Sequence, residues 1–153
     1  MSANGAGGPG GRMPLLVVDA ANVVGSVPDG WWRDRQGAAE RLRDALAHVA
    51  RRGLADHGGA PERYRGGPLE VVLVVEGAAR GVTGVPGVEV VAAAGSGDDR
   101  IVGVVGDALA RRPQRDCLVV TADRGLRARV TALGAEVTGP RAVWPARSAP
   151  QAD

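Results

Sequence analysis

Aspartates follow three apolar, strand-like segments in this chain of 153 residues. Asp19 ends LLVVD, Asp98 and Asp99 follow VEVVAAAGSG, and Asp123 follows CLVVTA. Runs of Leu and Val without polar alternation are typical of strands buried on both faces of a parallel sheet, and such sheets bind ligands beyond the carboxyl ends of their strands. Gathered carboxylates repel one another unless a cation neutralises them, and oxygen ligands suit Mg²⁺ or Mn²⁺. The sequence therefore predicts a metal-dependent site.

The acidic residues are expected to have different roles. Asp98 and Asp99 are neighbours at a helix start and point about 100° apart, so we expect one to be a ligand and the other a helix cap or a base. Asp99 is favoured as the ligand, because it immediately precedes the apolar stripe and should lie nearer the interior. Glu76 ends LEVVLVVE and is either a fourth carboxylate or a solvated strand end. Asn22 can orient a water or a ligand, whereas Asp19 could instead only cap the following turn.

Residues beside these acids could contact a phosphate-containing substrate. Thr121 and Arg124 flank the end of the last Val-rich strand, and Arg124 could clamp a phosphate. Trp31 and Trp32 precede Arg33 in a predicted loop, where they could stack a base and hold its phosphate. The alternative is that at least one tryptophan covers the core.

The apolar spacing predicts the elements that must position these residues. GAAERLRDALAHVARRG reads as a long amphipathic helix that ends near Gly53, and a second helix starts at GSGDD. RGLRARVTALG reads as a short helix with Leu126, Val130 and Leu133 inward, AEVTG as an edge strand, and NVVGSVPDGWWRDR as a loop. Strands that alternate with helices predict a three-layer α/β/α sandwich with a mainly parallel central sheet.

Length and composition predict one domain. We expect it to span 13–145, with Gly-rich or polar disordered tails at 1–12 and 146–153. Cys117 is the single cysteine, which excludes an internal disulfide and fits a reducing compartment. The chain has no apolar stretch of membrane-spanning length and no segment typical of a secretory signal. A cytoplasmic location is therefore expected.

The charge balance is compatible with a phosphate-rich partner. All 19 basic residues are arginine, and the net charge is +2. If the four aspartates surround a cation, the 17 acidic residues leave 13 for the remaining surface against 19 arginines, which makes the exterior cationic. The alternative is that arginine without lysine reflects nucleotide composition alone.

The segments LLVVDAANVV, GSGDDRIV and VVTADRGL, taken in order over 14–140, resemble the PIN-like nuclease superfamily, specifically its NYN branch and the YacP-like proteins. The resemblance implies a metal-dependent ribonuclease with a parallel-sheet α/β/α fold. By position it implies a catalytic set of Asp19, Asn22, Asp98, Asp99 and Asp123. The implied ligands of Mg²⁺ or Mn²⁺ are Asp19, Asp99 and Asp123, with Glu76 as a further candidate. Arg124, Arg100 and Arg33 are the neighbouring arginines expected to contact the substrate.

Three functions stay open at this point. The favoured one is hydrolysis of phosphodiester bonds in single-stranded RNA. The second is a catalytically degenerate domain that binds RNA or a protein partner, and the third is a nucleotide phosphohydrolase. Metal-dependent cleavage separates the first from the second, and a panel of nucleotides and oligonucleotides separates the first from the third.

Overall fold

The structure is a computed structural model that describes residues 13–26, 33–55 and 59–143. The predicted tails lie outside the described residues. The strands are Leu15–Asp19 (β1), Glu70–Val75 (β2), Val88–Ala92 (β3), Cys117–Val120 (β4) and Glu136–Thr138 (β5). The α-helices are Ala20–Gly25 (α1), Arg35–Arg52 (α2), Gly97–Arg111 (α3) and Arg124–Ala132 (α4). Short 3-10 helices span Glu62–Tyr64, Gly77–Ala79 and Pro140–Ala142.

The five strands form one parallel sheet in the order β3-β2-β1-β4-β5. β1 lies at the centre, and every residue of β1, β4 and the last five positions of β2 is buried. The predicted mainly parallel sheet is therefore confirmed, and so is the placement of AEVTG at an edge. Among the helices of the described residues, none is both long and apolar enough to cross a membrane.

Helices cover both faces of the sheet, because the side chains of β1 alternate between two apolar clusters. Leu16 and Val18 belong to the cluster formed with α1 and α2. Leu15 and Val17 belong to the cluster formed with α3 and α4. Successive strand residues point to opposite faces, so a strand without polar alternation requires a helical layer on each side. The three-layer α/β/α architecture is confirmed.

The two longer helices begin and end at residues suited to those positions. Asp34 caps α2 by accepting a hydrogen bond from the Gly37 N–H at 2.9 Å. α2 ends at Arg52, and its C-cap is Gly53, whose φ of 85° lies in the left-handed region that glycine adopts without a steric penalty. In α3, the cap is Ser96, whose hydroxyl accepts from the Asp99 N–H at 3.4 Å. Neither Asp98 nor Asp99 is therefore the N-cap of this helix, and the alternative role of a base stays a prediction.

Three further expectations about local structure were wrong. The segment after β1 starts with the short helix α1 rather than a loop, because Asp19 caps it through the Asn22 N–H. β3 is an edge strand and is not buried on both faces. Leu133 is 42% exposed because α4 ends at Ala132, so it does not continue the inward stripe.

Candidate active site

The strand order creates a crevice at the carboxyl ends of β1 and β4. Within the sheet, β2 and β3 lie on one side of β1, whereas β4 and β5 lie on the other side of β1. Ligands of open α/β sheets bind at such a switch point, where connections leave in opposite directions. Val18 pairs with Val120 in the parallel register. The residues that follow, Asp19 and Thr121, therefore lie side by side at this edge.

Two hydrogen bonds fix the carboxylate of Asp19. The Thr121 hydroxyl donates to Oδ2 at 2.9 Å, and the Asn22 N–H donates to Oδ1 at 3.3 Å. The same hydroxyl accepts from the Asp123 N–H at 3.1 Å. Thr121 is fully buried and orients Asp19 and the following turn, whereas its contact with substrate stays a prediction.

Four carboxylates are electrostatically coupled at this edge, and we call Asp19, Glu76, Asp98 and Asp123 the acidic cluster. Burial, opposed by the hydrogen bonds from Thr121 and Asn22 and reinforced by Asp98 and Glu76, raises the pKa of Asp19 to about 6. Burial, followed by the negative charges of Asp123 and Glu76, also raises the pKa of Asp98. Both acids are thus harder to ionise than in water, as expected for a site that a cation would neutralise.

Asp98, not Asp99, faces the acidic cluster. The Asp99 side chain is 73% exposed, and its Oδ1 lies 3.0 Å from Nη1 of Arg129. Asp98 is half-buried, and its pKa responds to Asp123 and Glu76. The expectation that Asp99 lies nearer the interior was wrong, because the buried residues Ile101, Val105 and Leu109 set the rotation of α3 about its axis.

Glu76 and Asn22 connect the loops that carry the acidic cluster. A Glu76 carboxylate oxygen accepts a hydrogen bond from the Gly97 N–H and so joins the end of β2 to the start of α3. The Asn22 side-chain carbonyl accepts from the Ala122 N–H at 2.8 Å and joins α1 to the turn after β4. Glu76 is half-buried, and its charge raises the pKa of both Asp19 and Asp98, so it lies close to these carboxylates and is not a fully solvated strand end.

The expected substrate-binding residues lie at different places. Arg124 is exposed in the first turn of α4, and Arg33 is exposed just before α2. Arg100 lines a separate groove of about 380 Å³ between α3 and strands β2 and β3. Trp31 and Trp32 lie outside the described residues. Among the described arginines of this set, Arg124 is next to a member of the acidic cluster in the chain, because it directly follows Asp123.

Sequence reasoning missed two contacts that shape the turn after β4. Arg127 Nε donates to the Thr121 carbonyl at 2.8 Å. The Asp123 carboxylate caps α4 by accepting from the Leu126 N–H at 2.8 Å. The sequence signal for these contacts is an aspartate at a helix start followed four residues later by an arginine. The aspartate can accept from a free N–H of the first helical turn, and the arginine can donate to a carbonyl of the preceding turn.

The donor chemistry of the acidic cluster fits a divalent cation, since its side chains supply oxygen ligands and their repulsion would be relieved by positive charge. Its geometry is not that of a complete coordination group. Among the described residues, no three side chains of the His, Cys, Asp or Glu type are grouped so that they could hold a metal ion. The acids would therefore have to draw closer to share one ion.

The protein is a parallel α/β/α sandwich with acidic residues at its switch point. The fold is similar to that of crystal structures of Rae1 (YacP) from Bacillus subtilis. One has a TM-score of 0.63 and 20% sequence identity and covers 90% of this chain and 75% of that chain. A second, of a mutant, has the same TM-score, 17% identity and coverage of 90% and 76%. No family model and no curated protein matches the sequence. The expected YacP-like fold is thus confirmed, and at this identity the similarity defines the fold alone.

Proposed function

We propose that this protein is a metal-dependent ribonuclease that hydrolyses phosphodiester bonds of single-stranded RNA at the acidic cluster. The observation that carries the proposal is the buried Asp19, oriented by Thr121 and coupled to Asp98 and Glu76. Its place at the switch point of a YacP-like fold and the motifs that resemble PIN-like nucleases support the same activity. Mg²⁺ or Mn²⁺ is the proposed cofactor.

In this proposal Asp19, Asp98 and Asp123 hold the ion, with Glu76 as a further candidate ligand. When bound, the ion would lower the pKa of a water and offset charge on the phosphate. The Thr121 hydroxyl holds one carboxylate oxygen of Asp19 in a fixed orientation. The Asn22 side chain connects α1 to the turn that carries Asp123 through a hydrogen bond from the Ala122 N–H. The cluster thus has support from β1, β4 and α3, which limits the reorganisation needed for binding.

RNA is the proposed partner because a polyanion suits the arginine-rich exterior. Arg124 is exposed one residue beyond Asp123, where it would bind a phosphate oxygen next to the reacting one. Binding that rests on such contacts should weaken as salt concentration rises. A cytoplasmic location stays a prediction, supported by a single cysteine, Cys117, that is buried as a thiol.

One observation favours a second candidate, a catalytically degenerate domain that binds RNA without cutting it. The described residues contain no ready group of three metal-binding side chains. A site that has lost its ability to bind the ion would keep the fold, the arginines and part of the acidic cluster.

A cleavage assay with matched aspartate variants separates the two candidates. Labelled single-stranded RNA is incubated with wild type, Asp19→Asn, Asp98→Asn and Asp99→Asn across a titration of Mg²⁺ or Mn²⁺. We expect metal-dependent cleavage that falls by about a hundredfold or more in Asp19→Asn and Asp98→Asn, since ion-derived stabilisation amounts to several kcal/mol. Asp99→Asn is the control, because its carboxylate faces Arg129 instead of the cluster.

Duplex RNA and free nucleotides are run beside the single strand. Intact RNA at every metal concentration, with binding retained, would establish the degenerate candidate and refute the ribonuclease. Equal cleavage by wild type and Asp19→Asn would show that a contaminant is responsible. Hydrolysis of nucleotides in preference to RNA would indicate that the protein is a nucleotide phosphohydrolase.

A further inference from the structure

A recess of about 390 Å³ opens beside the acidic cluster, between α1, α2 and the turn after β2. Its lining includes the small aliphatic side chains of the buried Ala20, Val24, Ala39 and Ala79 and of the exposed Ala21. We call this recess the alanine slot. Its volume lies within the range of about 300–1,000 Å³ that is usual for small-ligand sites. None of its described lining residues is aromatic, and its two long side chains are the charged Arg35 and Glu76.

The alanine slot is continuous with the acidic cluster. Ala20 directly follows Asp19 in the chain, and Glu76 both lines the slot and carries a charge that raises the pKa values of Asp19 and Asp98. At Gly95, which also lines the slot, an added Cβ would meet nothing within 4 Å. Among the described residues, the slot is therefore open beside Gly95 and adjoins the carboxylates.

The polarity of the slot selects its ligand. Its depth is apolar, whereas the charged groups of its lining are the exposed Arg35 and the half-buried Glu76. A phosphate would lose its hydration in that depth without a partner. An uncharged, flat heterocycle would instead replace water with aliphatic contacts, while its polar edge meets the charged rim and its phosphate stays outside.

We propose that the alanine slot binds one unpaired nucleobase of the RNA strand whose phosphate lies at the acidic cluster. This inference rests on the proposed ribonuclease function and extends it to the substrate. A base in a duplex is stacked and paired, and it enters such a recess only after it leaves the helix. The slot therefore supplies a physical reason for preference for single strands.

Filling the slot tests the proposal. Ala21 is exposed and lines the slot, so Ala21→Phe should fill it without disturbing the core. Ala110→Phe is the matched control, because Ala110 is an exposed alanine of α3 that lies in its last turn. We expect Ala21→Phe to weaken single-stranded RNA binding roughly tenfold, the range for loss of one bound base, and Ala110→Phe to bind like wild type.

Strands with one abasic ribose show whether the lost contact is a base. At one position near the cut, an abasic ribose should weaken binding to wild type roughly tenfold. For Ala21→Phe the same strand should bind no more weakly than the intact one, because both changes remove a single contact. The proposal is refuted if every abasic strand binds wild type as tightly as the intact strand does. It is also refuted if the abasic ribose weakens binding to Ala21→Phe as much as it weakens binding to wild type.

Methyl NMR in EDTA separates this inference from the proposed activity. Alanine-methyl-labelled protein is titrated with the intact and the abasic strand, and the signals of Ala20, Ala21 and Ala39 are compared with that of Ala110. Shifts of the slot methyls that require the base support the proposal, and equal shifts with both strands, or none, refute it. Base-dependent shifts without cleavage in the metal assay would refute the ribonuclease alone, and cleavage without such shifts would refute the slot alone.

Discussion

Replacing Asp19 by asparagine should stabilise the metal-free protein at neutral pH. The pKa of Asp19 is raised from 3.8 to about 6, first by burial. Between these two pH values the folded state binds more protons than the unfolded state, so the free energy of unfolding falls as pH rises. The contribution of Asp19 is complete below pH 3.8 and is lost as pH passes about 6. Above that pH the ionised carboxylate destabilises the fold.

The structure gives the size of this effect. The rise of the Asp19 pKa from 3.8 to about 6 corresponds to about 3 kcal/mol. Asparagine removes the charge but offers one oxygen to two donors, the Thr121 hydroxyl and the Asn22 N–H. Leaving one donor unpaired costs about 1–3 kcal/mol. The net gain for Asp19→Asn at neutral pH is therefore up to about 2 kcal/mol, or up to about 4–8 °C in the melting temperature for a chain of this length.

Thermal and urea unfolding in EDTA between pH 4 and 8 measure the effect. Near pH 4, where Asp19 is protonated, Asp19→Asn should be less stable than wild type because only the cost of the unpaired donor remains. The variant should become the more stable protein as pH passes 6. Asp99→Asn is the control, since it removes an exposed carboxylate that pairs with Arg129. A difference between wild type and Asp19→Asn that is the same at pH 4 and pH 8 would refute the electrostatic reasoning.

Three other outcomes are expected. Millimolar Mn²⁺ or Mg²⁺ should raise the melting temperature of wild type and not of Asp19→Asn, because an ion bound only by the native state stabilises it by mass action; an unchanged wild-type midpoint would contradict a metal site. Thr121→Val should lower the free energy of unfolding by about 1–3 kcal/mol, since the Asp19 oxygen and the Asp123 N–H lose their buried partner; Thr121→Ser should lose less, and equal losses would refute this role. Gly97→Ala should be less stable than Gly103→Ala in urea melts, because a Cβ at Gly97 would overlap the Glu76 carboxylate that accepts the Gly97 N–H. At Gly103 an added Cβ would meet nothing within 4 Å, so Gly103→Ala should stabilise the protein by about 0.5–1 kcal/mol. The opposite order would contradict the contact between Glu76 and the start of α3.

The sequence by itself determined the strands, the layers and the acids at the strand ends. Apolar runs such as LLVVD and CLVVT are local signals, and their lack of alternation requires helices on both faces of a parallel sheet. A residue that follows a strand must lie at its carboxyl end. The positions of Asp19 and Asp123 at one edge were therefore predictable without knowledge of the strand order.

Short helices and edge positions were less predictable from the same local signals. The segment that begins at Asn22 reads as a loop because of its later Pro, Asp and Gly, whereas its first residues belong to α1, which the Asp19 carboxylate caps. In VEVVA the Val-rich pattern reads as a buried strand, although β3 lies at the sheet edge. A capping hydrogen bond and a place in the sheet both depend on groups that hydrophobic periodicity does not record.

Tertiary structure alone decided which groups meet at the site. Asp19 and Thr121 are 102 residues apart, and their hydrogen bond exists because β1 pairs with β4. The choice between Asp98 and Asp99 depends on the rotation of α3, which its packed residues fix against the sheet. Neighbours on a helix differ by about 100°, so a sequence places such a pair on a helix, and only the packing of that helix decides which carboxylate faces the cluster.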